Sequence, residues 1–225
     1  MSSFQAKLDA TIAAKPLLSH SFYTRWQKGE LSMEELRGYA KEYYSFEKEF
    51  PRFLSAIHSR CENPVARQML LENLCHEEQG EKNHPALWLD FAEGLGVARE
   101  NVETHFHSDE TEHLLRVFRK HSTSDNIADG LAALYAYEQQ QPAVAEQKID
   151  GLRRHYGVTE HSTTAFFEAH QTYDVGHSQT EARLLEVLCQ DETSQARATA
   201  VVDEALGALY EFLDGVERRY GKIAA

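Results

Sequence analysis

Apolar residues recur along this chain with helical spacing, and no segment alternates in the way a half-buried strand would. The clearest apolar stripe lies near the C-terminus and consists of Val201, Val202, Leu206, Leu209, Leu213 and Val216. Such a stripe must be buried against other helices. No Gly-, Ser- or Pro-rich linker divides the chain. The sequence therefore predicts one all-α domain covering residues 1–225, a multi-helix bundle of about seven to nine helices.

Capping residues and prolines suggest where the helices begin and end. Ser32 with Glu35 forms a capping-box pattern. Asn63 followed by Pro64 is typical of a cap and a first helical residue, and Pro51 is expected to bend or restart its helix. The predicted helices are 4–14, 17–28, 31–50, 64–81, 85–95, 108–121, 126–156, 158–188 and 192–220.

Charge and cysteine content narrow the class of protein. The net charge is −13 and no basic patch appears, which argues against a nucleic-acid partner. No run is apolar enough to span a membrane, and the first residues lack the apolar core of a secretory signal. Cys61, Cys75 and Cys189 are odd in number and widely spaced, as in reduced proteins. We therefore expect a soluble, cytoplasmic protein, and its exposed helix faces would permit a homodimer.

The stretch EAHQTYDVGH contains the first candidate metal-binding residues. His170, Asp174 and His177 are spaced by four and three residues, which places them along one edge of a helix. Two imidazoles and a carboxylate suit iron, manganese or zinc. A solvated polar stripe is the alternative interpretation. Gly176 suggests either close helix packing or open space beside a metal.

A second candidate group lies in the stretch CHEEQGEKNHPALW. Glu77 and His84 are seven residues apart and share a face if one helix continues through both. Glu81 and His84 form a competing Glu-x-x-His pair, the spacing that di-iron bundles use. Pro85 disfavours helical backbone at His84 and so predicts a bend there. Spacing alone leaves the choice between Glu77 and Glu81 open.

Glu138 is the third candidate. It follows the apolar run ALYAY, so its carboxyl group is expected inside the bundle, where it is either protonated and hydrogen-bonded or a metal ligand. Pro142 cannot donate a hydrogen bond to the carbonyl of residue 138, which predicts a kink. The combined candidates number three carboxylates and three imidazoles, as a two-metal site in a helix bundle requires: Glu77, His84, Glu138, His170, Asp174 and His177.

This order of residues resembles the haem-oxygenase-like dimetal oxidases, and within them the group named for the Chlamydia protein associating with death domains. The resemblance extends over nearly the whole chain, including GLAALYAYEQQQPAVAEQKIDGL and KNHPALW. It implies a haem-oxygenase-like bundle that holds iron with iron or with manganese and activates dioxygen with an external reductant. It also implies that Glu77, rather than Glu81, is the ligand.

Relatives of this kind make 4-aminobenzoate for folate biosynthesis from their own side chains. The resemblance implies that Tyr23 supplies the aromatic ring and Lys148 the amino group. From the sequence alone, Lys148 is expected to be an exposed ammonium and Tyr23 a core or rim aromatic. Tyr39, Tyr43 and Tyr44 are alternative redox-active phenols.

Two other functions fit the same residues. The first is a dimetal oxidase that acts on an external small molecule, such as an amine, an amino acid or a fatty acid. The second is a non-catalytic protein that binds metal or another protein. Oxygen consumption by the metal-loaded protein separates the oxidases from the non-catalytic alternative.

Overall fold

Helices account for nearly all regular structure in the computed structural model, which describes residues 3–221 and contains no strand in that range. The prediction of an all-α fold is confirmed. A short 3-10 helix, Leu17–Ser19, precedes the second α-helix. The α-helices are α1 (Phe4–Ala14), α2 (Ser21–Lys28), α3 (Met33–Arg60), α4 (Pro64–Glu78), α5 (His84–Gly94), α6 (Arg99–Glu103), α7 (Asp109–Ser122), α8 (Ile127–Glu138), α9 (Gln141–His155), α10 (His161–Leu188) and α11 (Glu192–Tyr220).

The described residues form eleven α-helices, more than the predicted seven to nine. Part of the difference is α6, which at five residues is too short to show a helical period. The capping predictions are confirmed: Ser32 and Glu35 form the capping box, and the Asn63 side chain accepts from the first turn of α4. None of the helices described is long and apolar enough to cross a membrane.

The two prolines behave differently from expectation. Helix α3 continues through Pro51 to Arg60, so the predicted end at residue 50 is wrong. Its buried face extends beyond the proline to Ile57, and this packing outweighs the lost backbone hydrogen bond. The predicted helix 126–156 is in fact two helices. Pro142 lies in the first turn of α9, where a missing N–H costs little.

The core arrangement brings five helices to one place. Helix α10 packs against α5, α8 and α9 and also contacts α4, while α3 contacts α4, α5 and α8. Helix α11 covers α7 and α8 with the predicted apolar stripe, all of which is buried. Polar side chains that α3, α4, α5, α8 and α10 direct inward therefore meet inside the bundle.

Candidate metal centre

The three polar residues of α10 point into the bundle. His170, Asp174 and His177 are 2%, 1% and 7% exposed, which excludes the solvated stripe. The Nδ1 of His170 lies 2.9 Å from the carbonyl oxygen of Phe166. That hydrogen bond requires the proton on Nδ1 and leaves a lone pair on Nε2, the state in which an imidazole can bind a metal.

Glu77 and His84 meet because the chain turns back between α4 and α5. Helix α4 ends at Glu78, so the expectation of a helix reaching residue 81 is wrong. The loop that follows brings the Nδ1 of His84 to 2.7 Å from the Oε2 of Glu77. Both side chains are buried, whereas Glu81 lies exposed in the loop. Burial thus distinguishes Glu77 from Glu81, which spacing did not.

The six predicted metal-binding side chains lie in two adjoining groups. In one, Glu77, Glu138, Asp174 and His177 each offer an atom within 4.8 Å of the others. In the second group, Glu77, His84 and His170 meet the same criterion together with Glu47. Glu77 belongs to both groups.

Glu47 is a buried residue beside the site that the sequence pattern did not predict. It lies on α3 and is 2% exposed. A signal for it exists in the sequence: Glu47 precedes Pro51 by four residues, as Glu138 precedes Pro142. In both cases a proline withdraws a helical hydrogen bond from the carbonyl of a buried glutamate.

Many polar atoms of this region lack hydrogen-bond partners. They are Oε1 of Glu47, both carboxylate oxygens of Asp174, both carboxylate oxygens of Glu181, Nδ1 of His177, and Oε2 of Glu77 and Nδ1 of His84, which lie close to each other without forming a hydrogen bond. Buried polar atoms without partners are rare in folded proteins because each costs free energy. The donor set of imidazoles and carboxylates suits iron and manganese. These residues therefore fit a pair of divalent transition-metal ions.

Burial also changes the charge state of the cluster. Burial raises the pKa of Glu77, with a further increase from Glu138, and burial with Glu77 nearby raises the pKa of Asp174. Burial lowers the pKa of His170, as does the neighbouring His84. Without cations the cluster favours neutral acids and neutral imidazoles. Bound cations would favour the carboxylate anions instead.

A cavity opens beside the α10 edge of the cluster. Its volume is about 250 Å³, and Asn73, His76, Gly176, His177 and Glu181 are among its lining residues. A Cβ atom added to Gly176 would meet nothing within 4 Å, so this glycine borders open space and is not required for close packing.

His76 orients His177 at this cavity. The Nδ1 of His76 lies 2.9 Å from the Nε2 of His177, while the Nδ1 of His177 faces Asp174 at 3.4 Å. If His177 donates to His76 through Nε2, its Nδ1 keeps a lone pair directed at the carboxylates. His76 lies outside the six residues that the sequence pattern predicts.

Lys148 lies inside the bundle with Tyr23 and Tyr39. It is 2% exposed, so the expectation of an exposed ammonium is wrong. Its Nζ donates to the Tyr39 hydroxyl at 2.7 Å and lies 5.2 Å from the centre of the Tyr23 ring. The Tyr23 and Tyr39 hydroxyl oxygens are 3.4 Å apart. Burial lowers the pKa of Lys148 to about 7, although the negative charge of Glu47 acts in the opposite direction.

Helix α3 connects the two groups of side chains. Tyr39, Tyr43 and Glu47 are spaced by four residues and so follow one face of the helix. The Tyr43 hydroxyl is hydrogen-bonded to that of Tyr137. Tyr44 lies outside this row, near Glu103, and burial raises its pKa. The face that contacts Lys148 through Tyr39 therefore reaches the candidate metal-binding residues at Glu47.

Comparisons with known proteins identify the family of this chain. The family described as iron-containing redox enzymes matches residues 37–210. The chain is 43% identical over 212 residues to a 4-aminobenzoate synthase of Chlamydia muridarum, covering 94% of this chain and 89% of that protein. It is 39% identical over 227 residues to a 4-aminobenzoate synthase of Nitrosomonas europaea, covering 97% of this chain and 92% of that protein.

A solved structure supports the fold. A domain with a haem-oxygenase-like fold from Shewanella denitrificans superimposes with a TM-score of 0.77 at 19% identity, covering 98% of this chain and 93% of that one. At this identity the likeness shows the fold alone. The expected haem-oxygenase-like bundle is confirmed, and the sequence relatives favour an enzyme over a non-catalytic binding protein.

Proposed function

Because this chain belongs to the family of iron-containing redox enzymes with a haem-oxygenase-like fold, we propose that it is an oxygen-activating dimetal oxidase that makes 4-aminobenzoate. The observation that carries the proposal is the buried amine of Lys148 beside the Tyr23 ring, next to a cluster suited to two metals. The curated relatives are named for the same product.

Six side chains would hold the metals: Glu77, His84, Glu138, His170, Asp174 and His177. The proposed ions are iron with iron, or iron with manganese. When bound, they supply one-electron redox chemistry toward dioxygen, with an external reductant providing the remaining electrons. Around them, the aromatic packing of Trp88 and Phe166 excludes water from the His84 and His170 side.

Tyr23 and Lys148 would be the internal substrates. Conversion of a tyrosine side chain to 4-aminobenzoate requires cleavage of its Cα–Cβ bond, oxidation of Cβ to a carboxylate and replacement of the ring hydroxyl by nitrogen. One dioxygen balances the four-electron oxidation of Cβ, and Cα takes up a hydrogen. Lys148 would provide the nitrogen: its Cε–Nζ bond breaks, Cε takes up a hydroxyl from water, and the ring hydroxyl oxygen leaves as water. The lowered pKa of about 7 supports this role, because a neutral amine has the lone pair that carbon–nitrogen bond formation needs.

The internal-substrate proposal is tested by counting product against protein. Metal-loaded protein with dioxygen and a reductant should give at most about one 4-aminobenzoate per chain, with mass losses in the peptides that contain Tyr23 and Lys148. Tyr23→Phe and Lys148→Met should give none, while Tyr44→Phe, outside the cluster, should behave as wild type. Product well beyond one per chain with unmodified protein would rule out self-consumption.

The metal site is tested separately by elemental analysis after growth with iron and manganese. We expect about two metal ions per wild-type chain and a clear loss in His170→Ala and Glu138→Ala. Circular dichroism checks that both variants remain helical. Equal loading in all three proteins would refute the six-residue site.

A second candidate function is the oxidation of an external small amine, amino acid or fatty acid. The cavity beside His177 favours it, since about 250 Å³ accommodates more than dioxygen. Sustained oxygen consumption by Tyr23→Phe on addition of one of these compounds would support this function. Oxygen consumption that ends after one turnover in wild type with every compound would argue against it.

A further inference from the structure

Glu47 is a buried carboxylate that the six-residue site leaves without a role. It is 2% exposed, and one of its oxygens lies within 4.8 Å of the facing atoms of Glu77, His84 and His170. We propose that Glu47 is a seventh metal-binding side chain, a ligand of the ion held by His84 and His170. The proposal rests on the dimetal centre proposed above. It adds α3 to the helices that supply metal-binding side chains.

The protein satisfies the Glu47 side chain incompletely. Its Oε1 has no hydrogen-bond partner despite complete burial. Glu181 is the other extra carboxylate nearby, and both of its oxygens also lack hydrogen-bond partners, but it lies outside both four-residue groups. Of these two buried acids, Glu47 is therefore the one placed as a ligand.

The distribution of ligands between the two groups supports this role. Without Glu47, the group that contains His84 and His170 has Glu77 as its only carboxylate, and Glu77 belongs to both groups. The group around His177 has three carboxylates. With Glu47, each group contains four side chains whose potential ligand atoms all lie within 4.8 Å of one another.

Charge balance gives independent support. Two divalent ions carry four positive charges, and the six-residue site supplies three carboxylates. A net charge inside an apolar bundle is costly unless it is compensated. Glu47 is the fourth carboxylate and makes the buried centre neutral. Its place on α3, one turn beyond Tyr43, also puts Glu47 on the helix face that reaches Lys148 through Tyr39.

Anaerobic titration of the metal-free protein with Co(II) tests the proposal, read by visible absorption and by bound metal per chain. Wild type should bind two equivalents. Glu47→Gln has nearly the same shape and should bind one equivalent as wild type, with the second weakened at least about tenfold. Glu47→Asp keeps a carboxylate and should retain the second equivalent more tightly than Glu47→Gln. Glu49→Gln, on the same helix but outside both groups, is the matched control and should bind both.

Two outcomes would overturn the proposal. One is second-site affinity in Glu47→Gln equal to that of wild type. The other is loss of both equivalents in a protein that remains helical by circular dichroism, since Glu47 would then support the whole site. Failure of the dimetal centre itself looks different, because wild-type protein would then not bind two equivalents.

Discussion

Two buried glutamates on α3, Glu42 and Glu47, show how one helix serves both stability and chemistry. Both are almost inaccessible to solvent, at 0% and 2% exposed. Glu42 accepts hydrogen bonds from Thr111 at 2.6 Å, from Arg219 at 2.7 Å and from the backbone N–H of Ser108 at 3.0 Å. Glu47 has an oxygen with no partner at all.

The pKa values of the two carboxyls diverge accordingly. Burial opposes ionisation of Glu42, but hydrogen bonds from His105, Thr111 and Ser108 lower its pKa to about 2. Burial raises the pKa of Glu47 well above its usual range, and Glu77 adds to the increase. A structural carboxylate is thus satisfied by the protein itself, whereas the carboxylates of the candidate metal centre are arranged around a charge that the protein does not supply.

The largest effect is expected for Glu42→Ala. Removing this carboxylate leaves Arg219 and the Ser108 N–H without their acceptor, so the free energy of unfolding should fall by about 3–5 kcal/mol. Urea denaturation measures the change. Glu34→Ala, at an exposed position on the same helix, is the control and should cost below about 1 kcal/mol. A loss as small as that of the control would contradict the structural role of Glu42.

In the metal-free protein, the carboxyls of the candidate metal centre should respond to pH in the opposite way to Glu42. The raised pKa values of Glu47, Glu77 and Asp174 mean that the folded metal-free protein binds more protons than the unfolded chain above about pH 4. The contribution of these three carboxyls to stability should therefore fall as pH rises toward 8, by up to about 1.4 kcal/mol per pH unit for each proton, whereas the lowered pKa values of His84, His170 and His177 act in the opposite direction below about pH 6.5. Glu42 acts oppositely, losing its stabilisation as pH falls from about 4.5 toward about 2.

Thermal unfolding between pH 5 and 8, with chelator or with Mn(II), measures this effect. The stabilisation by Mn(II) should grow with pH, because the ions bind the deprotonated carboxylates. Parallel curves with and without metal would contradict a metal-binding cluster of raised pKa.

Lys148→Met should change the pH dependence of stability near neutrality. The folded-state pKa of about 7 lies below the ordinary value of 10.5, so between these values the unfolded chain binds the extra proton and wild-type stability rises with pH. Below pH 7 wild type carries the full cost of a buried ammonium. The methionine variant should therefore exceed wild type in stability at pH 6, and the difference should shrink by pH 9. Denaturation at both pH values tests it, and a constant difference would contradict a lowered pKa.

His76→Phe should have the smallest effect. Phenylalanine can keep the stacking on Tyr173 but cannot accept from His177, so the affinity for metal should fall about tenfold while the metal-free protein keeps its stability. Co(II) titration measures the affinity. Tyr173→Phe retains both histidines and should bind as wild type; an unaltered affinity in His76→Phe would exclude the orienting role of His76.

Much of the fold could be predicted from local pattern. The capping box at Ser32, the Asn63 cap and the apolar stripe of α11 depend on residues close in sequence, and all are present in the structure. The two prolines show the limit of such reasoning. Pro51 lies within a helix whose buried face continues beyond it, whereas Pro142 begins a new helix. Local propensity does not distinguish these cases, because packing against neighbouring helices decides them.

Some features of the candidate site follow from local sequence, and others depend on tertiary packing. The sequence by itself determined the all-α class, the row of His170, Asp174 and His177, and the residue types suited to two metals, because helical periodicity and side-chain chemistry are local properties. Only the tertiary structure brought Glu77 to His84 across a loop, buried Lys148 beside Tyr23 and placed Glu47 against the cluster. These placements depend on how separate helices pack, and burial inside that packing sets the pKa values on which the proposed chemistry depends.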